Sequence, residues 1–207
     1  MSELRPPTTF LFDLGNVLVH FSTDVWNRQL AEVGGVSIDA IARLRADPAI
    51  ASYERGEITT DELHRWFERS VGNTVDPDAF AIAYSNIFNL NSPMIPVLDA
   101  LRARGHRLVL LSNTSALHID WVGARFDVLE RFDALVLSHR AGVMKPDPAI
   151  FAAAIAVLGC PPDACLYTDD IVRYVDAAKT HGLRATVFTT TERYVADLAD
   201  HGIVLAR

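Results

Sequence analysis

Short apolar runs recur along the chain, each bounded by polar or turn-forming residues: "TFLFDLG" near residue 10, then "RLVLLSN", "ALVLS", "CLYTDD", "ATVF" and "GIVLA". Runs of this length, with no polar alternation, predict strands buried on both faces, as parallel strands are. Helix-like segments separate most of them. "NSPMIPVLDALRARG" offers Ser92 as an N-cap, Pro93 at the first helical position and Gly105 as a stop. "KPDPAIFAAAIAVLG" repeats that grammar with Asp147, Pro148 and Gly159.

Alternation of strand and helix predicts an α/β chain: a Rossmann-like open parallel sheet with helices on both faces. One segment interrupts it. Between Asp24 and Asn89 no strand pattern stands out, and helical stretches take its place. One covers Ile38 to Arg45, one opens at the capping box "TTDE" of Thr59 to Glu62, and one starts at Asp76-Pro77. The expected organisation is a core from residues 1–20 and 90–207, with a helical cap, residues 21–89, inserted after the first strand.

The chain has 207 residues, half of them hydrophobic, enough for one sizeable core plus an inserted lobe. Its formal net charge of −7 argues against non-specific nucleic-acid binding, which needs a basic surface. A small anionic substrate stays open, because a local site can be positive on an acidic protein. No run approaches the roughly 18 apolar residues of a membrane span, and "MSELRPPTTF" carries no apolar signal core. Cys160 and Cys165 lack two further ligands for zinc and read as reduced thiols, so a cytoplasmic protein is expected. The residues do not specify an oligomeric state.

Ligands of an open α/β sheet bind outside the carboxyl ends of its strands. Asp13 stands at the first of these ends and "SNT", Ser112 to Thr114, at the second. Lys145 follows the third in "GVMKPDP", and Asp169 and Asp170 close the fourth. Each feature alone is ordinary turn or surface chemistry. Together they fit phosphoryl transfer. Paired carboxylates supply hard oxygen ligands for Mg²⁺. A carboxylate can attack phosphorus, a hydroxyl and backbone N–H groups can hold phosphate oxygens, and a lysine can offset the gathered negative charge. No GxxxxGK[ST] loop is present, which counts against a nucleotide hydrolase.

In order and spacing these four motifs resemble those of the haloacid dehalogenase superfamily of phosphatases: "FDLGNVL", "LLSNT", "GVMKPDPAIF" and "LYTDD", covering the chain from about Thr9 to Val204. The "ERGEIT" stretch, Glu54 to Thr59, is similar to one in the branch containing sugar-phosphate phosphatases such as glucose-1-phosphate phosphatase. The resemblance implies a Mg²⁺-dependent phosphatase acting on a small phosphorylated metabolite. Asp13 is then the nucleophile and a metal ligand. Ser112 and the Asn113 backbone hold phosphate, Lys145 balances charge, and Asp169 and Asp170 form the acidic metal pair with Asp170 as the direct ligand. The Gly15 carbonyl can serve as a further ligand.

Two departures stand out. Where the family's usual phosphatase has a proton-handling aspartate two residues after the nucleophile, this chain has Gly15. Where it often has an asparagine after the acidic pair, this chain has Tyr174, expected to pack under the cap; Ile171 replaces a polar residue just beyond the pair. His20 is a candidate substitute proton carrier, and Arg28, Arg43 and Arg55 are candidate contacts for a substrate anion. Two alternatives remain open: a haloacid dehalogenase, in which the aspartate attacks carbon without a metal, and a phosphatase fold that has lost turnover and only binds.

Overall fold

A computed structural model describes residues 6–205. Five parallel strands form one sheet: β1 (Thr9–Phe12), β4 (Arg107–Ser112), β5 (Ala134–Leu137), β6 (Cys165–Asp169) and β7 (Arg184–Val187), in the order β5-β4-β1-β6-β7. β1 is central because it is buried throughout and pairs on both edges, Phe10 opposite Leu108 on one side and Leu166 on the other. Its side chains alternate between two layers. Phe10 and Phe12 join one apolar cluster with Leu108 and Leu110, while Leu11 joins the other with Val109, Leu111 and Tyr167. Helices cover both faces, as the unbroken apolar runs require. The expected fold class is the observed one.

Local grammar decides several helices. Asp147 caps α9 (Pro148–Val157) through the Ala149 N–H, and Gly159 follows with φ +72°. At α6 (Met94–Ala103) the expectation fails by one residue. Pro93 is the N-cap, no side chain caps the helix, and the Met94 N–H bonds the Asn91 carbonyl instead of Ser92. Asn91 is held from the other side, its amide donating to Val17 O (2.8 Å).

The insert contains five helices: α1 (Thr23–Gly34), α2 (Ile38–Leu44), α3 (Pro48–Glu54), α4 (Thr60–Val71) and α5 (Pro77–Ser85). They share their own apolar cluster around Trp26, Leu30, Phe67, Phe80 and Tyr84. The Thr59–Glu62 capping box opens α4, as its sequence predicts. α1 and α3 go beyond the three helical stretches expected. So does the neck, an antiparallel ribbon of β2 (Val19–Phe21) and β3 (Phe88–Leu90) that carries the chain into and out of the insert.

The last apolar run does not form a strand within the described residues, and Ala206 lies outside them. Ile203 and Leu205 pack into the core instead, and Arg104 donates to Val204 O (2.9 Å). The Ile203 and Leu205 side chains lie over the core rather than extend a sheet edge, while Val204 is exposed.

A cap turn is pressed against the core. Ser138 Oγ donates to the Glu54 carbonyl (2.6 Å), and the Leu117 N–H donates to Tyr53 Oη (3.2 Å). Gly56 lies over His139 so closely that a Cβ there would meet its carbonyl oxygen at 2.1 Å.

Candidate active site

The site begins where β1 stops. Asp13 follows Phe12 directly, and its N–H bonds Thr168 O on β6 (2.9 Å), which fixes the carboxylate between two parallel strands. A tight turn returns the chain: Leu18 and Val19 N–H groups both donate to Leu14 O, and Asn16 N–H donates to Val19 O. These bonds run past Gly15, so its carbonyl is not spent on the turn. Asn16 takes the left-handed conformation, φ 54°, which asparagine tolerates better than most residues.

Lys145 reaches in from the loop before α9 and is buried. Its Nζ lies 2.9 Å from Asp13 Oδ1, 2.6 Å from Asp169 Oδ2 and 3.2 Å from the Leu111 carbonyl. Burial opposes the ammonium charge, but the two carboxylates outweigh it and hold the lysine above its ordinary range. For Asp13 burial wins over Lys145 and pushes the carboxyl up to about 6. Asn113 positions the lysine: its Oδ1 accepts from the Lys145 N–H (2.7 Å) and its Nδ2 donates to the Lys145 carbonyl (3.0 Å). Ser112, buried at the end of β4, stands beside it.

The two aspartates after β6 have different neighbours. Both oxygens of Asp169 are engaged: Oδ2 by Lys145 and by the Tyr167 hydroxyl, Oδ1 by the Ile171 N–H (2.8 Å). Asp170 is half-buried, and Asn16 Nδ2 holds one of its oxygens, Oδ2, at 3.0 Å. Ligand oxygens of Asp13, Asp169 and Asp170 lie within 4.8 Å of one another. Three carboxylates against one ammonium leave a local deficit of two positive charges. A divalent, oxygen-loving cation fits that donor set.

The structure thus brings together Asp13, Ser112, Asn113, Lys145, Asp169 and Asp170, with Gly15 beside them. It also adds residues that motif reading passed over. Asn16 holds Asp170, and Tyr167 holds Asp169. Tyr174 sits with its ring 5.1 Å from Lys145 Nζ and its hydroxyl 3.4 Å from Asn113 Nδ2, so it closes over the lysine. His20 is exposed on the ribbon, opposite Asn89. Arg28 and Arg55 are engaged locally, with Asp24 O and Glu57. Arg45, not Arg43, lines the cavity next to the site.

That cavity, about 410 Å³, lies between cap and core. Gly15, Ser112 and Asn113 line it from the core side, and Trp26, Glu54 and Tyr84 from the cap side.

Comparison with known proteins places the chain among phosphatases and related hydrolases. The chain is 30% identical to a phosphoglycolate phosphatase of Cereibacter sphaeroides over 93% of its own length and 91% of the relative's. It is 26% identical to phosphatase MT3486 of Mycobacterium tuberculosis over 94% and 95% of the two chains. The fold superposes with a TM-score of 0.81 on the HAD family enzyme bt-2542 of Bacteroides thetaiotaomicron, solved with magnesium and inorganic phosphate; identity there is 23%, covering 89% of this chain and 95% of that one. No helix among the described residues is long and apolar enough to cross a membrane. The family profile described as "Hydrolase: haloacid dehalogenase-like hydrolase" matches residues 7–182, and with strand-end acids and lysine in one cluster the chain belongs to that family of hydrolases.

Proposed function

We propose that the protein is a Mg²⁺-dependent phosphatase that hydrolyses a small phosphomonoester through an aspartyl phosphate on Asp13. The observation that carries this reading is the cluster of three carboxylates, two of them paired with a single buried lysine. A dehalogenase needs the attacking Asp13 and the lysine, and Asp169 is explained by holding that lysine. It leaves Asp170 without a task. A metal gives Asp170 one, together with Asp13, the Gly15 carbonyl and, more weakly, the already engaged Asp169. Bound there, Mg²⁺ would supply positive charge to the phosphoryl oxygens and the nucleophile.

The chain's own groups divide the remaining work. The carboxylate of Asp13 attacks phosphorus as the bond to the ester oxygen breaks, and that oxygen departs with the bonding electrons. Lys145 and the Ser112 hydroxyl stabilise charge on the phosphoryl oxygens. Water then attacks the acyl phosphate, releasing phosphate and restoring Asp13. Gly15 provides no acid for the leaving oxygen, so the reaction favours leaving groups stable as anions. The two free cysteines suit a reducing compartment and support a cytoplasmic location. The net charge of −7 supports a substrate other than nucleic acid.

Two measurements test the reading. Asp13→Asn should lower turnover of phosphate esters to background while the protein stays folded. Asp170→Ala should abolish both Mg²⁺-dependent turnover and the rise in Tm that Mg²⁺ gives the wild type. Equal turnover in EDTA would refute it.

A further inference from the structure

We propose that the cavity beside Ser112 and Asn113 receives the leaving group of the substrate, and that this group is an aromatic alcohol rather than a sugar or a short hydroxy acid. The proposal rests on the phosphatase reading above and narrows it.

The walls make the argument. Phe21 and Phe88 meet with ring centres 6.4 Å apart, Phe88 and His118 at 5.1 Å, His118 and Tyr84 at 4.8 Å, and Tyr84 and Trp26 at 5.6 Å. All five line the cavity, together with Ile50 and Ile87. His118 belongs to this apolar wall. Burial holds it neutral, with its pKa pushed down to about 4, and its Nε2 bonds the Tyr84 carbonyl (3.2 Å). Thr23, Arg45, Asp47 and Glu54 also line the cavity, but most of its surface is apolar, so a sugar placed here would lose water from more hydroxyls than these groups could pair. A flat ring would bury apolar surface against these rings and gain offset-stacked or edge contacts with them. At about 410 Å³ the cavity is within the range of small-molecule sites.

Phe21 links this wall to the chemistry. It is 42% exposed, unusual for a phenylalanine, and its exposed surface borders the cavity. Its ring also crowds a residue-15 side chain: a Cβ on Gly15 would come within 3.1 Å of Phe21 Cε1, so the ring would have to give way by a few tenths of an ångström. Gly15 is not among the glycines with positive φ, so space rather than backbone conformation favours glycine there. Where an acid would protonate a poor leaving group, this chain has an aromatic surface. An aryl oxide needs no proton to depart, and it is the leaving group such a surface would hold. The missing acid and the aromatic wall therefore point to one substrate class.

The test compares esters of similar leaving-group acidity but different ring area. With Mg²⁺ present, 1-naphthyl phosphate should exceed phenyl phosphate in kcat/KM by about tenfold, mainly through KM, as burial of a second ring predicts. Glucose 1-phosphate and phosphoglycolate should be far poorer. Phe21→Ser, at an exposed position, should fold and bring the two aryl esters within about twofold of each other. Calorimetry provides a readout independent of turnover: 1-naphthol should bind the wild type and Asp13→Asn alike, and Phe21→Ser at least several-fold more weakly. Equal use of both aryl esters, or glucose 1-phosphate used as well as 1-naphthyl phosphate, would overturn the proposal. If esters turn over but 1-naphthol does not bind, the aromatic assignment fails and the phosphatase reading stands. If 1-naphthol binds and no ester turns over, the phosphatase reading fails and the aromatic assignment of the cavity stands.

Discussion

The rim of the sheet and the cavity under the cap meet at residue 15, yet they are built by opposite means. The rim concentrates charge. Asp13, Asp169 and Lys145 are all buried; the two carboxylates repel each other, and the lysine between them offsets both. The cavity concentrates ring surface, drawn from the ribbon, from α1 and α5, and from α7 (Ala116–Arg125). A buried charge network fails when any member leaves, because the survivors keep their desolvation cost. An aromatic wall degrades by degrees, because its members contribute area. The rim should therefore be intolerant and the cavity tunable.

The strongest way to break that contrast is Lys145→Met. It leaves Asp13 and Asp169 without their cation, so turnover should vanish and stability fall by about 3–5 kcal/mol in urea denaturation. Lys145→Arg should not rescue it, because Nζ sits within 2.6–3.2 Å of three oxygens and a planar guanidinium cannot match that cluster. Wild-type stability in Lys145→Met would show that the rim is not a mutually dependent unit.

An intermediate effect is expected at the junction itself. Gly15→Asp alone forces the Phe21 ring aside and should lower kcat/KM for aryl esters. Combined with Phe21→Ala, the acid has room, and hydrolysis of alkyl phosphates should rise by about 10²-fold, the lower end of general acid catalysis. The readout is the slope of log kcat/KM against leaving-group pKa, steep in the wild type and flatter in the double variant. An unchanged slope would mean that the ring is not standing in the acid's place.

The smallest effect belongs to His118. Its pKa is about 4 in the folded chain against an ordinary 6.5. Between those values the unfolded chain binds a proton that the folded one refuses, so this group's contribution to stability falls as pH drops from 6.5 to 4. The full window is worth at most about 3 kcal/mol, less because the ring borders the cavity. Asp13, raised to about 6, slopes the other way, its folded form being favoured by acid. The difference between wild type and His118→Gln isolates the histidine. Urea midpoints at pH 7, 5.5 and 4.5 should fall less in the variant, and parallel curves would show that His118 is not held neutral.

The same division separates what could be read in the amino-acid order from what could not. Rim residues are legible because each sits at the end of an apolar run, and topology gathers run ends on one edge. Asp13, Ser112 and Asp169 need no knowledge of long-range packing to be placed. The cavity is illegible because Phe21, Trp26, Tyr84 and His118 look like ordinary core residues until helices far apart in sequence come together. Some signals were present but quiet. Ser22 caps α1 and Gly35 ends it with φ +62°, the same grammar that marks α9. The "GIVLA" run misled because apolar content alone does not distinguish an added strand from a segment laid over the core. His20 misled because proximity to Asp13 in sequence does not put it in the site: the ribbon turns it outward.

Residue 54 gains a particular freedom from the seam between cap and core. Its carbonyl is clasped by Ser138 and the neighbouring Gly56 leaves no gap over His139, so its backbone is immobilised by contacts indifferent to its own side chain. That side chain belongs to the cavity lining. Position 54 is thus a socket: the fold fixes where the residue stands but not which residue it is. A library varied at this one codon would sample new substrate preferences while leaving the seam's hydrogen bond in place.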